Sequence, residues 1–416
     1  MIRPVRLSST ITPLGSMTYL ACVVALCTPA QAQFALTGAD GNTLRINNSD
    51  MAVLETQDVR KDIPCTVAPV KPNLGFDLRF HSGFNVTIPL KELVGDENML
   101  TILFRVTPDT RRDDPSYFVE HVRVPHIDDD AKGEVALQGT FDLGEGTYHI
   151  DWLMRDRSEH VCSFYWDAEA ELAAKDKPME LSIGANVAES TQFEQFKEEP
   201  PVERAPVSAA PLNVKVLVNF APQNFDSPAL RPIDTQALVS ILRRIAREPQ
   251  FTKFSVVAFN MQEQRVLYRQ QSTDRIDFPA LGEALQSMKL GTVDAKRLSQ
   301  KHGDTEFLTD LIKQEMLAED HPDALIFAGP KIMLDEQVPQ ETLKPFAEDV
   351  DYPVFYMNYN LNPQAVPWKD SISRAVKFFR GTEYTITRPR DLWFSFTEMV
   401  SRIVKSKHGR STGAAQ

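Results

Sequence analysis

Apolar residues recur at every second position along most of the first half of the chain, and at every third or fourth along most of the second. In the first half Phe76, Leu78 and Phe80 alternate with polar neighbours, and Val86, Ile88 and Leu90 continue the alternation beyond Ser82-Gly83. The same period marks strands over 99–106, 117–124, 135–143 and 178–183. The strongest signal is a hairpin: Tyr148, Ile150, Trp152 and Met154 share one face, residues 155–160 turn, and Cys162, Phe164 and Trp166 return on a matching face. Short strands at regular spacing with turn residues between them predict an antiparallel β-sandwich. Residues 168–177 break the period and, being rich in Ala, Glu and Lys, read as a helical insert.

The second half opens with residues 212–227, where Val214, Val216 and Val218 alternate with Asn213, Lys215 and Leu217 ahead of Pro222 and Pro228. That pattern is a buried strand emptying into a loop, and in open α/β sheets ligands sit beyond the carboxyl ends of such strands. Helical period follows over 233–247, with Ile233, Ala237, Leu238, Ile241, Leu242 and Ile245 on one face and Arg243, Arg244 and Arg247 opposite. Strands at 254–259, 265–269, 324–328 and 354–357 then alternate with helices at 278–288, 304–316, 341–347, 368–379 and 389–404, the first of them led by Asp277 and Pro279. This alternation predicts a parallel sheet covered on both faces. The expected fold is multidomain: an N-terminal antiparallel β-sandwich (33–186) followed by an α/β doubly wound, mainly parallel sheet (212–406). Between them residues 187–211 carry Pro200, Pro201, Pro206 and Pro211 and read as an extended, exposed linker, and 407–416 as a disordered tail.

Composition changes the picture mainly through compartment. Arg3 and Arg6, the apolar run 17–27 and Ala30-Gln31-Ala32 read as a secretory signal peptide cleaved after Ala32, with an apolar run too short to span a bilayer. Removing the two arginines takes the formal charge of the 416-residue chain from -12 to -14, which argues against non-specific binding to nucleic acid or anionic lipid. A periplasmic or secreted protein without stable membrane insertion is expected. Two cysteines remain after cleavage, Cys65 and Cys162. In an oxidising compartment they read as one disulfide closing a loop worth about 4–5 kcal/mol if unstrained. A reactive thiol pair is the alternative, against which stands the absence of Cys-x-x-Cys spacing.

The first half resembles an immunoglobulin-like domain in general plan only, since that family's Cys, Trp and Cys spacing is absent. Three stretches of the second half carry a sharper resemblance. FSVVAFNMQEQRVLY resembles the second and third strands of the von Willebrand factor A domain, HGDTEFLTDLI its glycine-x-threonine helix start, and FRGTEYTITRPRDLWFSFTEMV its last strand and helix. The resemblance spans roughly 212–406 and implies a Mg²⁺-dependent adhesion site at the carboxyl ends of the strands, built from Asp-x-Ser-x-Ser, a threonine and a further aspartate. In this chain those positions hold Asn219, Ala221, Gln223, Thr305 and Gly329 (or its neighbour Ala328), and only Thr305 matches. Magnesium gives up water reluctantly and is normally held by one or two carboxylates. A degenerate site without metal or other cofactor is therefore expected, with Thr305 helping to start its helix beside Asp304.

The remaining candidate chemistry is thin. His121, His126, Asp128, Asp129, Asp130 and Glu134 lack the spacing of a calcium loop and read as a solvated turn. His81, His149 and His160 have no ligand spacing and read as surface or packing residues. No nucleophile elbow, phosphate loop or dinucleotide fingerprint is present. The loop residues Asn224, Asp226 and Ser227, together with Tyr356 and Tyr359 from the aromatic run that also holds Tyr352, Phe355 and Trp368, form a candidate interaction surface at the expected ligand edge. The function expected is protein–protein interaction or assembly outside the cytoplasm with an unnamed protein partner. The alternatives are a hydrolase using a non-standard site in the 224–234 loop, and a structural envelope protein.

Overall fold

The computed structural model describes residues 34–35, 46–95, 98–191, 195–204, 211–224, 227–290, 302–316, 318, 321–332, 338–347, 350–364 and 370–413. The segment 1–32 expected to be a signal peptide, Asp226 and Trp368 lie outside the described residues. The first half supplies, in chain order, β1 (Phe34–Ala35), α1 (Asn48–Thr56), β2 (Thr66–Leu74), β3 (Phe80–Pro89), β4 (Met99–Pro108), β5 (Ser116–Arg123), β6 (Glu134–Leu143), β7 (Gly146–Arg155), β8 (Val161–Ala170) and β9 (Ala188–Ser190). They form two antiparallel sheets, ordered β1-β5-β4-β7-β8 and β2-β3-β6-β9.

Aromatic rings interlock between the sheets. Phe84 of the four-stranded sheet lies 5.6 Å from Phe104 and 5.3 Å from Trp152 of the five-stranded one, and Phe104 lies 5.4 Å from Phe141. Each such pair adds roughly 0.5–1.5 kcal/mol beyond the area it buries. Helix α1 covers the outer face of the five-stranded sheet by setting Val53 and Leu54 against Leu103, Val119, Leu153 and Val161. The Cys65–Cys162 disulfide spans Cα atoms 6.4 Å apart and ties the start of β2 to β8.

Several expectations for this half are corrected. Residues 168–170 continue β8, because Ala168 and Ala170 face the core while Asp167 and Glu169 face outward; only a short 3-10 turn, Ala174–Asp176, follows. Residues 178–183 are not a strand, whereas β2 is one despite Pro69 and Pro72. It lies at a sheet edge, where a missing N–H is tolerated, and its pairing with β3 shifts register between Val70 and Asn73. The alternating Phe76, Leu78 and Phe80 do not share a strand. Residues 75–79 turn, with Leu78 at φ +61°, and send Leu78 into the sandwich core but Phe76 into the core of the second half.

The second half contributes β10 (Leu212–Asn219), α2 (Pro232–Ala246), β11 (Phe251–Asn260), β12 (Arg265–Thr273), α3 (Phe278–Leu285), α4 (Gly303–Met316), β13 (Ala324–Pro330), α5 (Gln340–Ala347), β14 (Val354–Tyr359), α6 (Ser371–Phe378), β15 (Thr382–Ile386) and α7 (Pro389–Gly413). Its mixed sheet runs β12-β11-β10-β13-β14-β15, with β12 antiparallel to β11 and all other pairs parallel. The chain winds outward from β10 in one direction and then, from β13, in the other. The crevice between the carboxyl ends of β10 and β13 is therefore the topological switch point.

Alternation along β10 feeds two cores. Val214, Val216 and Val218 pack with α2, α3 and α7, while Leu217 packs with α4, α5 and α6 on the opposite face. Lys215 shares the Leu217 face and is 2% exposed; its ammonium donates to the Glu315 carbonyl at 2.9 Å and lies 3.4 Å from the Glu315 carboxylate. It so serves the last turn of α4, where cations are favoured. Asp277 caps α3 by accepting from the Ala280 amide at 2.9 Å.

Three further corrections concern the second half. Ile233 is 37% exposed rather than buried with its helical face. Residues 407–413 are not a tail but the end of α7, held in part by Lys407 to Asp323 at 2.7 Å. The expected linker, 187–211, is not a free spacer: Ala188–Ser190 form β9 of the sandwich, and over 195–204 Glu199 pairs with Arg243 at 3.0 Å and Arg247 at 2.6 Å while Arg204 donates to the Ala246 and Glu248 carbonyls. The halves also touch directly, through Arg390 to Asp176 at 3.0 Å and through Trp393, which packs against the sandwich core.

Candidate functional site at the carboxyl edge of the mixed sheet

The register places Val218 beside Ala328 and Gly329 beside Asn358, so Asn219, Gly329 and Asn358 form a row across the ends of three parallel strands. Asn219 is fully buried; its Oδ1 accepts from the Met261 amide at 3.2 Å, and its Nδ2 has no partner among the described residues. Asn260, at the end of β11, donates to the Phe220 carbonyl at 2.6 Å and accepts from the Glu263 amide at 2.8 Å. Asn358 donates to Glu383 at 3.0 Å, and Asn360, 2% exposed, has no partner among the described residues for either amide atom. The edge is lined by neutral amides, which position backbone and read shape but carry no charge.

The positions aligned with the metal site do not assemble into one. Gly329 stands at φ +151°, and a Cβ there would come within 2.8 Å of the Asn219 Cβ and 3.1 Å of its carbonyl oxygen. An aspartate has no room in that backbone. Ala221 is buried and offers no donor atom, and Gln223 turns its amide to the Tyr359 carbonyl at 3.2 Å. Thr305 is buried in the first turn of α4, where its amide donates to Asp304 at 2.7 Å and its carbonyl accepts from the Thr309 hydroxyl at 2.6 Å. These residues do not fit a magnesium ion.

The candidate interaction surface is also redistributed. Tyr356 and Tyr359 are not exposed: both are fully buried. Tyr356 donates to the Pro330 carbonyl at 3.1 Å and Tyr359 to Asp234 at 2.8 Å, and burial together with neighbouring carboxylates holds both phenols well above their ordinary range. Asn224 is exposed, and Ser227 donates to the Ala229 carbonyl at 2.8 Å. What remains at the surface of this edge is therefore loop rather than aromatic ring.

Two polar clusters escaped the sequence reading. Asp370 caps α6 through the Ile372 amide at 3.2 Å, also accepts from the Ile332 amide at 2.9 Å, and faces the Tyr356 hydroxyl. Burial pushes its carboxyl up to about 6, against those hydrogen bonds. Its legible signal was the Asp-Ser pair ahead of an apolar helical run. In the sandwich, Asp77, His81 and Asp142 bring three metal-ligating atoms within 4.8 Å of one another. Both ring nitrogens already face carboxylates, Nε2 to Asp77 at 3.1 Å and Nδ1 to Asp142 at 2.8 Å, and Arg79 lies 3.4 Å from Asp142. Burial opposes charge on His81, but the two carboxylates outweigh it and push the imidazole up to about 10. Both ring nitrogens are thus engaged by carboxylates, with the Arg79 guanidinium beside them. The acidic turn 128–130 is exposed, with His126 3.2 Å from Asp128.

No protein-family model matches the chain, and no curated protein matches it. Among solved structures, 28% of the chain is similar to 95% of a Northeast Structural Genomics Consortium target, at 11% identity and a TM-score of 0.17. A larger share, 76%, is similar to a glycosyl hydrolase family 2 member from Bacteroides cellulosilyticus, at 8% identity, a TM-score of 0.17 and 37% of that chain. The same 76% share is similar to a β-glucuronidase from Bacteroides uniformis, at 8% identity, a TM-score of 0.18 and 38% of that chain. The chain thus spans well under half the length of these two enzymes, and at such TM-scores none of the three defines its fold or activity.

Proposed function

We propose that the protein is an extracytoplasmic interaction module, a sandwich followed by a von Willebrand factor A-like domain that engages a protein partner at its carboxyl edge without a metal. The observation that carries this reading is the closure of Gly329 onto Asn219, which leaves no room for a carboxylate in the metal position, so that what the edge offers a partner is its exposed loop at Asn224. The antiparallel β11–β12 hairpin, the Thr305 helix start and the β15–α7 ending support the family resemblance, since each falls where its motif places it. Among the described residues no helix is long and apolar enough to cross a membrane. Secretion rests on the N-terminal segment and is tested by sequencing the mature N-terminus, expected at Gln33.

Calorimetric titration of the purified chain with Mg²⁺, Mn²⁺ and Ca²⁺ should give no micromolar binding. Micromolar binding abolished by Asn219→Ala or Thr305→Ala would overturn the metal-free reading. Co-purification from the cell envelope with mass spectrometry names the partner, and a partner retained undiminished when the 223–227 loop is replaced by glycine and serine would place recognition elsewhere.

A further inference from the structure

The β2–β3 turn is where the sandwich reaches the carboxyl edge of the mixed sheet. Phe76, 5% exposed, meets Tyr359 edge to face, with ring centroids 6.1 Å apart and planes at 81°. The turn that presents it is locked by its own domain. The Gly75 amide donates to the Arg79 carbonyl at 2.8 Å, Ser182 holds the Asp77 carbonyl at 2.6 Å and, through its amide, the Leu78 carbonyl at 2.9 Å, and His81 is clamped between Asp77 and Asp142. A Cβ at Gly75 would lie 2.3 Å from His81 Nε2, so the clamp closes only over glycine. The receiving corner is equally fixed: Tyr359 bonds Asp234, which pairs with Arg231, and the Tyr359 carbonyl holds Gln223. Behind the corner, burial holds Arg243 of α2 below its ordinary range, with Glu199 opposing the shift.

We infer that the Tyr359 corner is a docking site for an aromatic side chain carried on a tight turn, and that Phe76 fills it in the resting protein as an internal ligand. The inference rests on the interaction reading above and gives its partner a chemistry: a protein loop presenting an aromatic residue on a tight turn competes with the protein's own turn. A rigid turn with one aromatic anchor is an economical ligand, since little freedom is lost when it docks. A site occupied by its own chain binds an external competitor with an affinity reduced by the small fraction of time it stands open.

The test uses a fluorescent, disulfide-cyclised peptide copying residues 73–82, titrated by anisotropy against the full chain and against its Phe76→Ala variant. The vacated variant should bind the peptide about tenfold or more tightly than the parent does, and a peptide with alanine in place of the phenylalanine that copies Phe76 should bind neither. Variant binding no tighter than parent binding overturns the inference, as does undiminished binding of the alanine peptide. Hydrogen exchange in the sandwich strands confirms that the variant is folded; should it not be, Phe76→Leu, which keeps apolar bulk but loses the ring, is judged by the same comparison. Because the peptide assay needs no natural partner, its failure leaves the envelope co-purification as an independent test of the interaction reading.

Discussion

Asp370 carries its burial as a measurable liability. Its carboxyl, raised to about 6 from 3.8, keeps a proton in the folded chain over a pH range where the unfolded chain has lost it. Stability from this group is therefore greatest below about pH 4, falls as pH rises toward 6 and stays low above it, a difference of roughly 3 kcal/mol. Asp370→Asn keeps an oxygen for the Ile332 and Ile372 amides and removes the charge. Denaturation measured between pH 4 and pH 7 should show the parent losing stability relative to this variant, and parallel curves would refute the assignment. Residues of this kind were half legible. The amide at Asn219 and the bare methyl at Ala221 were readable as a strand end without a carboxylate, but the closeness of Gly329 to Asn219 depends on strand register, and the row they form with Asn358 joins positions 219, 329 and 358 that no local pattern connects.

At the scale of elements, period identified β10, α2 and the alternation that follows, and the Asp277-x-Pro signal located α3. It failed where a short stretch serves two cores. Phe76, Leu78 and Phe80 have a strand's spacing, yet one of the three belongs to the other domain, and only the fold can say so. It failed again at β2, where prolines argue against a strand unless its place at a sheet edge is known. The His81 clamp holds the resulting turn and gives it a pH signature. A histidine raised to about 10 contributes its full stabilisation below 6.5, the unfolded value, and loses it as pH climbs through about 10. His81→Asn should cost about 2–3 kcal/mol at pH 7 by leaving Asp77 and Asp142 without their shared cation, and much less at pH 11. An equal loss at both pH values in chemical denaturation would show that the clamp is not ionic.

For the whole molecule, the disulfide and the interdomain contacts decide how the halves unfold. Cys65 and Cys162 are 97 positions apart and both belong to the sandwich, so reduction removes about 4–5 kcal/mol of unfolded-state constraint from that half. Scanning calorimetry with reductant should lower the sandwich transition markedly, and a thermogram unchanged by reductant would contradict this. The pairing was readable because Cys65 and Cys162 are the two cysteines beyond the N-terminal apolar run, whereas the docked linker was not. Its prolines and acids describe a free spacer, and it is Arg243 and Arg247, on a face expected to meet solvent, that hold it down.

Lys215 has one more consequence, for how the mixed sheet finds its pairing. On a strand buried on both faces, apolar side chains alone discriminate weakly between the native alignment and one displaced by a single residue. A displaced β10 would turn its ammonium away from Glu315 and drive it among Ile241 and Ile245 of α2. The buried cation thus acts as a key that fits one alignment and jams the next, at the cost of several kcal/mol for the mismatch. Lys215→Met leaves the buried Glu315 carboxylate to Arg269 alone and should cost about 3–5 kcal/mol of equilibrium stability while also slowing refolding through mispaired species. Single-exponential refolding of the variant at the parent's rate would show that the key is not needed.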